Sequence, residues 1–408
     1  MNWPQRLLWE TKCFLMYIAA YAWRRLLFRT TFIAITGSVG KTTAKECLAA
    51  ILSSHFPTAN TWANQNDDSG VPRSILRVRP WHRFAVLEVA ANGRGLMRRS
   101  APLVSPNIAV ILTVARTHMR SHKTLESVAA EKFVLLKALR PDGTAILNAD
   151  SSWVAAMAPR CERKVIWFGG SAESNLRAEE VSSCWPERLT FQLHTGGRSW
   201  RVKTQLVGTH WTTSLLGALA VAQACGLPPG EALAAVENLQ PTPARMQPVC
   251  LANGVTILRD EYNSSIDTLE VALRTLADAK ARRKVLVMSD VGETNLRSIN
   301  RMRLIAKETM GVADLTVFVG PESRHALRAA LSSGVSTEAV KSFLSLEEAV
   351  EYLKSTLQSG DLVLLRGRSG DHLSRIYFAL KGSIDCWIPK CSLMFLCDYC
   401  PKLGARPE

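Results

Sequence analysis

The sequence predicts an α/β chain of two domains, each built on a mostly parallel sheet with helical crossovers. Three observations carry this. Short apolar, β-prone runs alternate with helical stretches from Thr31 to about residue 380, the rhythm of strand–crossover–strand units. A Pro-rich segment from Leu239 to Arg245 (LQPTPAR) interrupts that rhythm and reads as a linker. The length, 408 residues, exceeds what one compact core organises.

An apolar share of 47% is ample for burial and excludes a disordered chain. The net charge of +15, from 50 Lys+Arg against 35 Asp+Glu, suits an anionic membrane face, acidic substrates or nucleic acid. No arginine–aromatic repeat or nucleic-acid motif accompanies the charge. A membrane face and acidic substrates therefore rank above any nucleic acid larger than a nucleotide.

Residues 1–30 contain an apolar run, Cys13 to Trp23 (CFLMYIAAYAW), bracketed by Arg6, Lys12, Arg24, Arg25 and Arg29. Eleven uninterrupted residues are too few to span a bilayer, and no small-residue cleavage site follows, so a cleaved signal peptide is not expected. Two readings stay open: a helix over residues 5–29 making peripheral contact with an anionic membrane, or a helix packed on the following domain.

Thr31 to Thr43, TFIAITGSVGKTT, is the stretch from which function is read. Phe32 to Ile35 make a buried strand. The chain then turns through Gly37, Ser38, Val39 and Gly40 and delivers Lys41, Thr42 and Thr43 to a helix. Glycines let backbone N–H groups converge on an anion, and a helix N-terminus adds its positive dipole end. Lys41 is placed to neutralise β/γ-phosphate charge and the Thr42 hydroxyl to sit on Mg²⁺. The spacing is the shorter G-x-x-G-K-T form of the P-loop, and the ligand it predicts is ATP with Mg²⁺.

A polar loop, residues 60–72, follows with Asn64, Asn66 and Asp67. Next, Phe84 to Leu87 form a strand with Glu88 at its C-terminal end, the end that faces the ligand crevice of an open α/β sheet; a carboxylate there suits Mg²⁺. A strand from Asn107 to Val114 leads to Thr117 and His118, and a helix from Leu125 to Leu139 carries Lys132. Residues 143–147 form a strand ending at Asn148, 151–205 are expected as strands on the sheet's flank, and Gly208 and His210 precede a helix from Thr213 to Cys225. After the linker, strands at 255–258, 284–288, 315–319 and 362–365 make the second, smaller sheet, with Asp260 and Asn263 following its first strand and Arg366-Gly367-Arg368 its last.

In order and spacing these elements resemble the Mur ligase family, the ATP-dependent amide-forming ligases of peptidoglycan precursor synthesis. The residues that carry the resemblance are ITGSVGKTT, Asn64-x-Asn66 with Gly70-Val71-Pro72, Glu88-x-x-Ala91-Asn92, His118, Lys132, Asn148-Ala149-Asp150, Gly208-x-His210, Arg245 and Asp260-x-Tyr262-Asn263. It covers residues 31–380 or so and implies a P-loop central domain plus a smaller Rossmann-like α/β C-terminal domain. The expected division is thus 1–30, an apolar helix; 31–245, the central ATP-binding domain; 246–383, the C-terminal domain; and 384–408, a tail.

The resemblance implies roles. Gly37, Ser38, Val39, Gly40, Lys41, Thr42 and Thr43 hold ATP. Thr42 and Glu88 hold a first Mg²⁺ and His118 a second, with Lys132 as the family lysine that becomes carbamylated and so turns from a cation into a carboxylate-like metal partner. Asn148 and His210 lie near the adenosine, Arg245, Asp260 and Asn263 approach ATP from the second domain, and Asn64, Asn66 and Asp67 belong to the substrate side. Lys41, Glu88, His118 and Lys132 are the catalytic set. The implied reaction is attack of a substrate carboxylate on the γ-phosphate, giving an acyl phosphate that an amino-acid or dipeptide amine converts to an amide.

The family's UDP-sugar-binding N-terminal domain has no counterpart in the thirty residues ahead of the P-loop. Trp211 and Ser214 replace family asparagines, Arg116 stands beside His118, and the family's Lys-Gly-Ser-Arg run reads Arg366-Gly367-Arg368-Ser369. The first expectation is therefore a cytoplasmic ligase, at the inner face of the membrane, acting on a cell-wall or glycan-linked acid other than the family's standard acceptor. Standard D-alanyl-D-alanine addition to a UDP-muramoyl peptide is the second reading, and a P-loop ATPase or nucleotide-binding regulator without ligation the third. Beyond the resemblance, Cys386, Cys391, Cys397 and Cys400 place four thiols within fifteen residues, enough for a tetrahedral Zn²⁺. Free buried thiols and a redox pair are the alternatives.

Overall fold

The structure, a computed structural model, describes residues 3–116, 119–292, 294–389, 391, 393, 396–404 and 406–407. The chain forms two compact units. The first comprises Met1–Ser182, Leu189–Gln205 and Thr209–Leu239; the second comprises Gln240–Glu408 with Ser183–Arg188 and Leu206–Gly208.

In the first unit α1 (Trp3–Leu26) leads into β1 (Thr31–Thr36) and α2 (Lys41–Ser53). There follow β2 (Thr58–Asn60), α3 (Gly70–Arg77), β3 (Phe84–Glu88), α4 (Leu96–Val104), β4 (Ile108–Ile111), α5 (Met119–His122), α6 (Leu125–Lys137), β5 (Thr144–Asn148) and α7 (Ser152–Ala155). The flank consists of β6 (Lys164–Gly169), β7 (Leu176–Ser182), β8 (Thr190–Thr195) and β9 (Arg198–Lys203), before α8 (Thr212–Ala224) and α9 (Pro229–Glu237). One nine-stranded sheet runs β2-β3-β1-β4-β5-β6-β7-β8-β9. It is parallel through β7 and antiparallel across β7–β8–β9.

Both faces of the parallel part are covered, which is why its strands read as unbroken apolar runs. Period-2 alternation splits each strand between two cores. Phe32 and Ala34 of β1, Ala85 and Leu87 of β3, and Ala109 and Ile111 of β4 join α1, α3, α4 and α6 in one cluster. Ile33 and Ile35 point the other way and are equally buried, on the side where α2 packs against α8 and α9. The inner face of α1 holds the helix in place: the Trp23 indole donates to Val78 O, and Arg24 donates to Val104 O and Ser105 O at 2.6 and 2.8 Å while lying 3.8 Å from the Phe32 ring centroid. Burial pulls the Arg24 pKa down to about 10. Among the described residues no helix is long and apolar enough to cross a membrane.

The second unit has a six-stranded sheet, β10-β11-β15-β12-β13-β14. Its strands are β10 (Gln247–Cys250), β11 (Thr256–Asp260), β12 (Arg283–Met288), β13 (Leu315–Val319), β14 (Val340–Phe343) and β15 (Asp361–Arg366). Only β10 runs antiparallel. The helices are α10 (Ile266–Ala277), α11 (Ser298–Thr309), α12 (Ser323–Ser332), α13 (Leu346–Thr356) and α14 (Ser374–Lys381). Ser265 and Ser345 start α10 and α13 with capping boxes, so hydroxyl and N–H groups at those helix starts are satisfied locally.

The tail belongs to this unit and is anchored by an ion pair. Arg259, 2% exposed, donates to both oxygens of Asp398 (2.7 and 2.8 Å) and twice to Glu261 (2.9 and 2.6 Å). Burial works against the guanidinium charge, but Glu261 and Asp398 more than offset it and raise its pKa. The zinc expectation finds no support in the described geometry. Among the described residues no group of three or more His, Cys, Asp or Glu side chains is arranged to hold a metal ion, and Cys386, Cys391, Cys397 and Cys400 are all free. They line, with His372 and Arg375, a cavity of about 150 Å³. Burial pushes the Cys397 thiol up to about 11, so without a metal it is held as a neutral thiol.

Candidate active site

The β1–α2 turn has the geometry of a phosphate cradle. Gly40, at φ 82°, precedes α2, and no side chain caps the helix N-terminus. Its left-handed backbone suits glycine, and a Cβ there would come within 2.5 Å of Ser214 Oγ. The turn is clasped by the extension of β4: Ser38 N donates to Thr113 O, Val39 N to the Thr113 hydroxyl, and Ala115 N to the Ser38 hydroxyl. Ser214 on α8 donates to Gly40 O. Lys41 folds back over the turn, its Nζ 2.8 Å from Gly37 O and 3.4 Å from Ser38 O.

Beside the cradle stands Glu88. Register pairs it with Ile35 at the end of β1, and it is 1% exposed. Thr42 donates its hydroxyl to one carboxylate oxygen at 3.0 Å and Asn66 its amide to the other at 2.6 Å, while Glu88 N donates to the Thr61 hydroxyl. Both carboxylate oxygens are thus held by neutral donors, a setting that suits a bound cation. The set Thr42, Glu88 and Lys41 therefore fits Mg²⁺ and nucleotide phosphate. It lies where the sheet order switches direction, β3 on one side of β1 and β4 on the other, the position at which open α/β sheets bind ligands.

Not every sequence-predicted residue is free for a ligand. Asp67 accepts from Ser69 N and Gly70 N and so starts α3. Asn64 is exposed. Asn148, 3% exposed, uses its amide to bridge Leu112 O and Asp150 N, tying the ends of β4 and β5 together. Lys132 is 2% exposed and so is no solvated helix lysine. His210 is half-buried with its ring 4.3 Å from that of Trp211. His118 lies outside the described residues.

In the second unit Arg245 sits between two residues with left-handed backbone, Ala244 (φ 56°) and Met246 (φ 47°), and stacks 4.2 Å from the Tyr262 ring centroid. Strain of that kind persists only where the surroundings impose it. Asp260 supplies the constraint, accepting from Met246 N at 3.2 Å and pairing with Arg366. Burial pushes its pKa up to about 6, against the opposing pull of Arg366. Asp260 thus positions the turn that carries Arg245, and Asn263 stands exposed after it. Arg366 is buried in that pair and in a bond to the Thr268 hydroxyl, leaving Arg368, beside Asp290 and Asp371, as the partly exposed cation of its loop.

Sequence reading overlooked four supports. Lys45, fully buried, donates to Thr61 O and Ala63 O and pairs with Glu46 at 2.6 Å, which fixes the loop carrying Asn66. Glu131 accepts from Gly95 N and Met97 N and so holds the start of α4. Thr113 and Ser214 brace the cradle. The one signal for Lys45 was a lysine within the apolar run of a helix, and Ser214 was noted only as a departure from the family; Glu131 and Thr113 left none, since their partners are backbone atoms distant in sequence.

The model of the Mur ligase middle domain matches residues 35–222, and that of the Mur ligase, glutamate ligase domain, residues 244–369. The UDP-N-acetylmuramoyl-tripeptide–D-alanyl-D-alanine ligase of Escherichia coli K12 is 33% identical over 298 residues, 72% of this chain and 65% of that enzyme. The enzyme of the same name from Synechocystis PCC 6803 is 30% identical over 375 residues, 91% of this chain and 79% of that one. The match thus spans just under two thirds of the E. coli enzyme's length. Among solved structures, a MurF from Acinetobacter baumannii superposes with TM-score 0.80 at 26% identity, covering 90% of this chain and 80% of that one. The fold is also that of a Thermotoga maritima MurF ligase solved with ADP, at TM-score 0.78 and 21% identity, over 90% of this chain and 82% of that one.

Proposed function

Because the chain belongs to the Mur ligase family of ATP-dependent amide-forming ligases, we propose that it adds D-alanyl-D-alanine to the peptide carboxylate of a UDP-muramoyl tripeptide. The observation that carries the reading is the buried Glu88 clamped by Thr42 and Asn66 beside the P-loop turn. Its likeness to the E. coli and Synechocystis enzymes supports the choice of substrates.

Bound Mg²⁺–ATP supplies an electrophilic γ-phosphorus. The acceptor's carboxylate oxygen bonds to it as the bond to ADP breaks, and the product is an acyl phosphate. The amine nitrogen then bonds to the acyl carbon, phosphate leaves with the C–O electron pair, and the amine proton passes to solvent. Lys41 and the α2 N-terminus offset the negative charge gathering on the transferred group. Thr42 and Glu88 orient the metal side, with His118 and a carbamylated Lys132 assigned to a second Mg²⁺. His210 is assigned to the adenosine, with Asn148 supporting that side by bracing the ends of β4 and β5, and Arg245, Asp260 and Asn263 are assigned to ATP from the second unit, Asp260 by positioning Arg245. Arg368 is the cation we assign to the dipeptide's carboxylate. The reaction is placed in the cytoplasm, where ATP is available, as a step of cell-wall synthesis.

The test is phosphate release by the purified chain with Mg²⁺–ATP, a UDP-muramoyl tripeptide and D-alanyl-D-alanine. Release that needs both substrates and is absent in Lys41→Ala is expected. ATP binding without release from this pair would refute the substrate assignment. A different acid or amine is the second reading, favoured by the burial of Arg366 against Asp260 where the family has a lysine. Release with another acid–amine pair would select it.

A further inference from the structure

We infer that the outer face of α1 docks on an anionic phospholipid surface. The helix is apolar on two sides. Its inner side, with Tyr17, Ala20 and Trp23, packs on the core with α3 and α4, and Leu27 just after the helix joins the same core. Its outer side presents Phe14 at 64%, Leu15 at 60%, Ile18 at 47%, Tyr21 at 43% and Leu26 at 67% exposure. Phe14, Leu15, Ile18 and Tyr21 are linked by three- and four-residue steps (14/18, 15/18 and 18/21), so they form one stripe along the helix, which Leu26 extends at its C-terminal end. Scattered single apolar residues on a surface need no explanation, whereas a continuous stripe of this kind marks an interaction face.

Charge selects the occupant. Glu10 is the one acidic residue of α1. Lys12 and Arg25 on α1 and Arg29 just after it are exposed, as are Arg73 and Arg77 on α3 and Arg98 on α4, the helices against which α1 packs. A second copy of this chain would bring the same cations against them and be repelled. An anionic headgroup layer attracts them while its acyl boundary receives Phe14, Leu15 and Ile18, the arrangement of an interfacial helix lying in the plane of the membrane. The helix is pinned to the C-terminal end of α4 by Arg24, away from the stripe, so the stripe is presented outward in a fixed orientation and needs no unfolding to bind.

The experiment is co-sedimentation of the full chain with vesicles of phosphatidylcholine alone or mixed with phosphatidylglycerol. Three variants are compared with wild type: Phe14→Asn with Ile18→Asn, Arg25→Gln with Arg98→Gln, and Arg24→Met. Thermal melting and ATP-dependent phosphate release confirm that the first two remain folded and active. Wild type is expected to bind the anionic vesicles, to be released by salt, and to bind neutral vesicles weakly. The arginine pair should weaken binding roughly five-fold per charge removed, and the Phe14/Ile18 pair should abolish it. Arg24→Met should melt early, separating anchoring of the helix from contact with lipid. Equal binding to both vesicle types, or none to either, overturns the proposal. So does a wild-type dimer in equilibrium sedimentation that dissociates in the Phe14/Ile18 variant, which would assign the face to a second copy.

Discussion

Removing Asp398 separates an ion-pair anchor of the tail from a metal anchor. Arg259 is 2% exposed and is shared between Glu261, fully buried, and Asp398, 13% exposed at its side chain. Asp398→Asn leaves a neutral Arg259–Glu261 pair and loses one charge-assisted interaction at a site that water reaches. A hydrogen bond to a charged group contributes about 1.5–3 kcal/mol, so the cost should fall in that range. Arg259→Met is worse, because it strands two carboxylates, one of them fully buried; breaking a buried pair from one side costs about 3–5 kcal/mol. At roughly 2–4 °C per kcal/mol for a unit of this size, Asp398→Asn should lower the melting temperature of the second unit by about 3–12 °C. Arg259→Met should lower it by about 6–20 °C. Calorimetry or urea unfolding followed by circular dichroism reads both. A chelator should leave the wild-type transition unmoved. The reasoning is refuted if Asp398→Asn costs as much as Arg259→Met, if neither moves the transition, or if chelation alone lowers it comparably.

Three further outcomes are expected. Gly40→Ala should fold but lose nucleotide affinity, because its left-handed backbone costs a β-carbon about 1–2 kcal/mol and that atom would meet Ser214 Oγ at 2.5 Å; titration with an ATP analogue checks this, and unchanged affinity would count against the cradle geometry. Lys45→Met should destabilise the first unit by about 3 kcal/mol through two orphaned carbonyls, Thr61 O and Ala63 O, and denaturant unfolding measures it. Asp260 has a folded pKa of about 6, raised from 3.8 chiefly by burial. The folded state therefore holds its proton where the unfolded state has lost it, and its contribution to stability is complete below about pH 4 and declines as pH rises through 6. Stability relative to Asp260→Asn should fall across that window by up to about 3 kcal/mol, and a flat difference from pH 4 to 7 would show that Arg366 fully offsets the burial.

The sequence by itself determined the alternating α/β plan, the nucleotide turn and Glu88 at a strand end. Those features are local: apolar runs set strands, glycine spacing sets the turn, and a residue just after a strand lies at the sheet's carboxyl edge. The antiparallel strands β7 to β9 were expected only as flank strands, because half-exposed strands carry weak alternation.

Tertiary structure alone decided which polar residues support the site and which remain available to ligand. Asp67, Asn148 and Asp260 stand in motif positions, yet their side chains are spent on Gly70 N, Leu112 O and Met246 N. Lys45 and Glu131 stand outside the motifs and hold the loops that carry them. The tail shows the same division. Cysteine spacing suggested a metal, whereas the anchor the structure shows joins Arg259 and Asp398, 139 positions apart. A buried charge must find its partner in space, and sequence order does not record that distance.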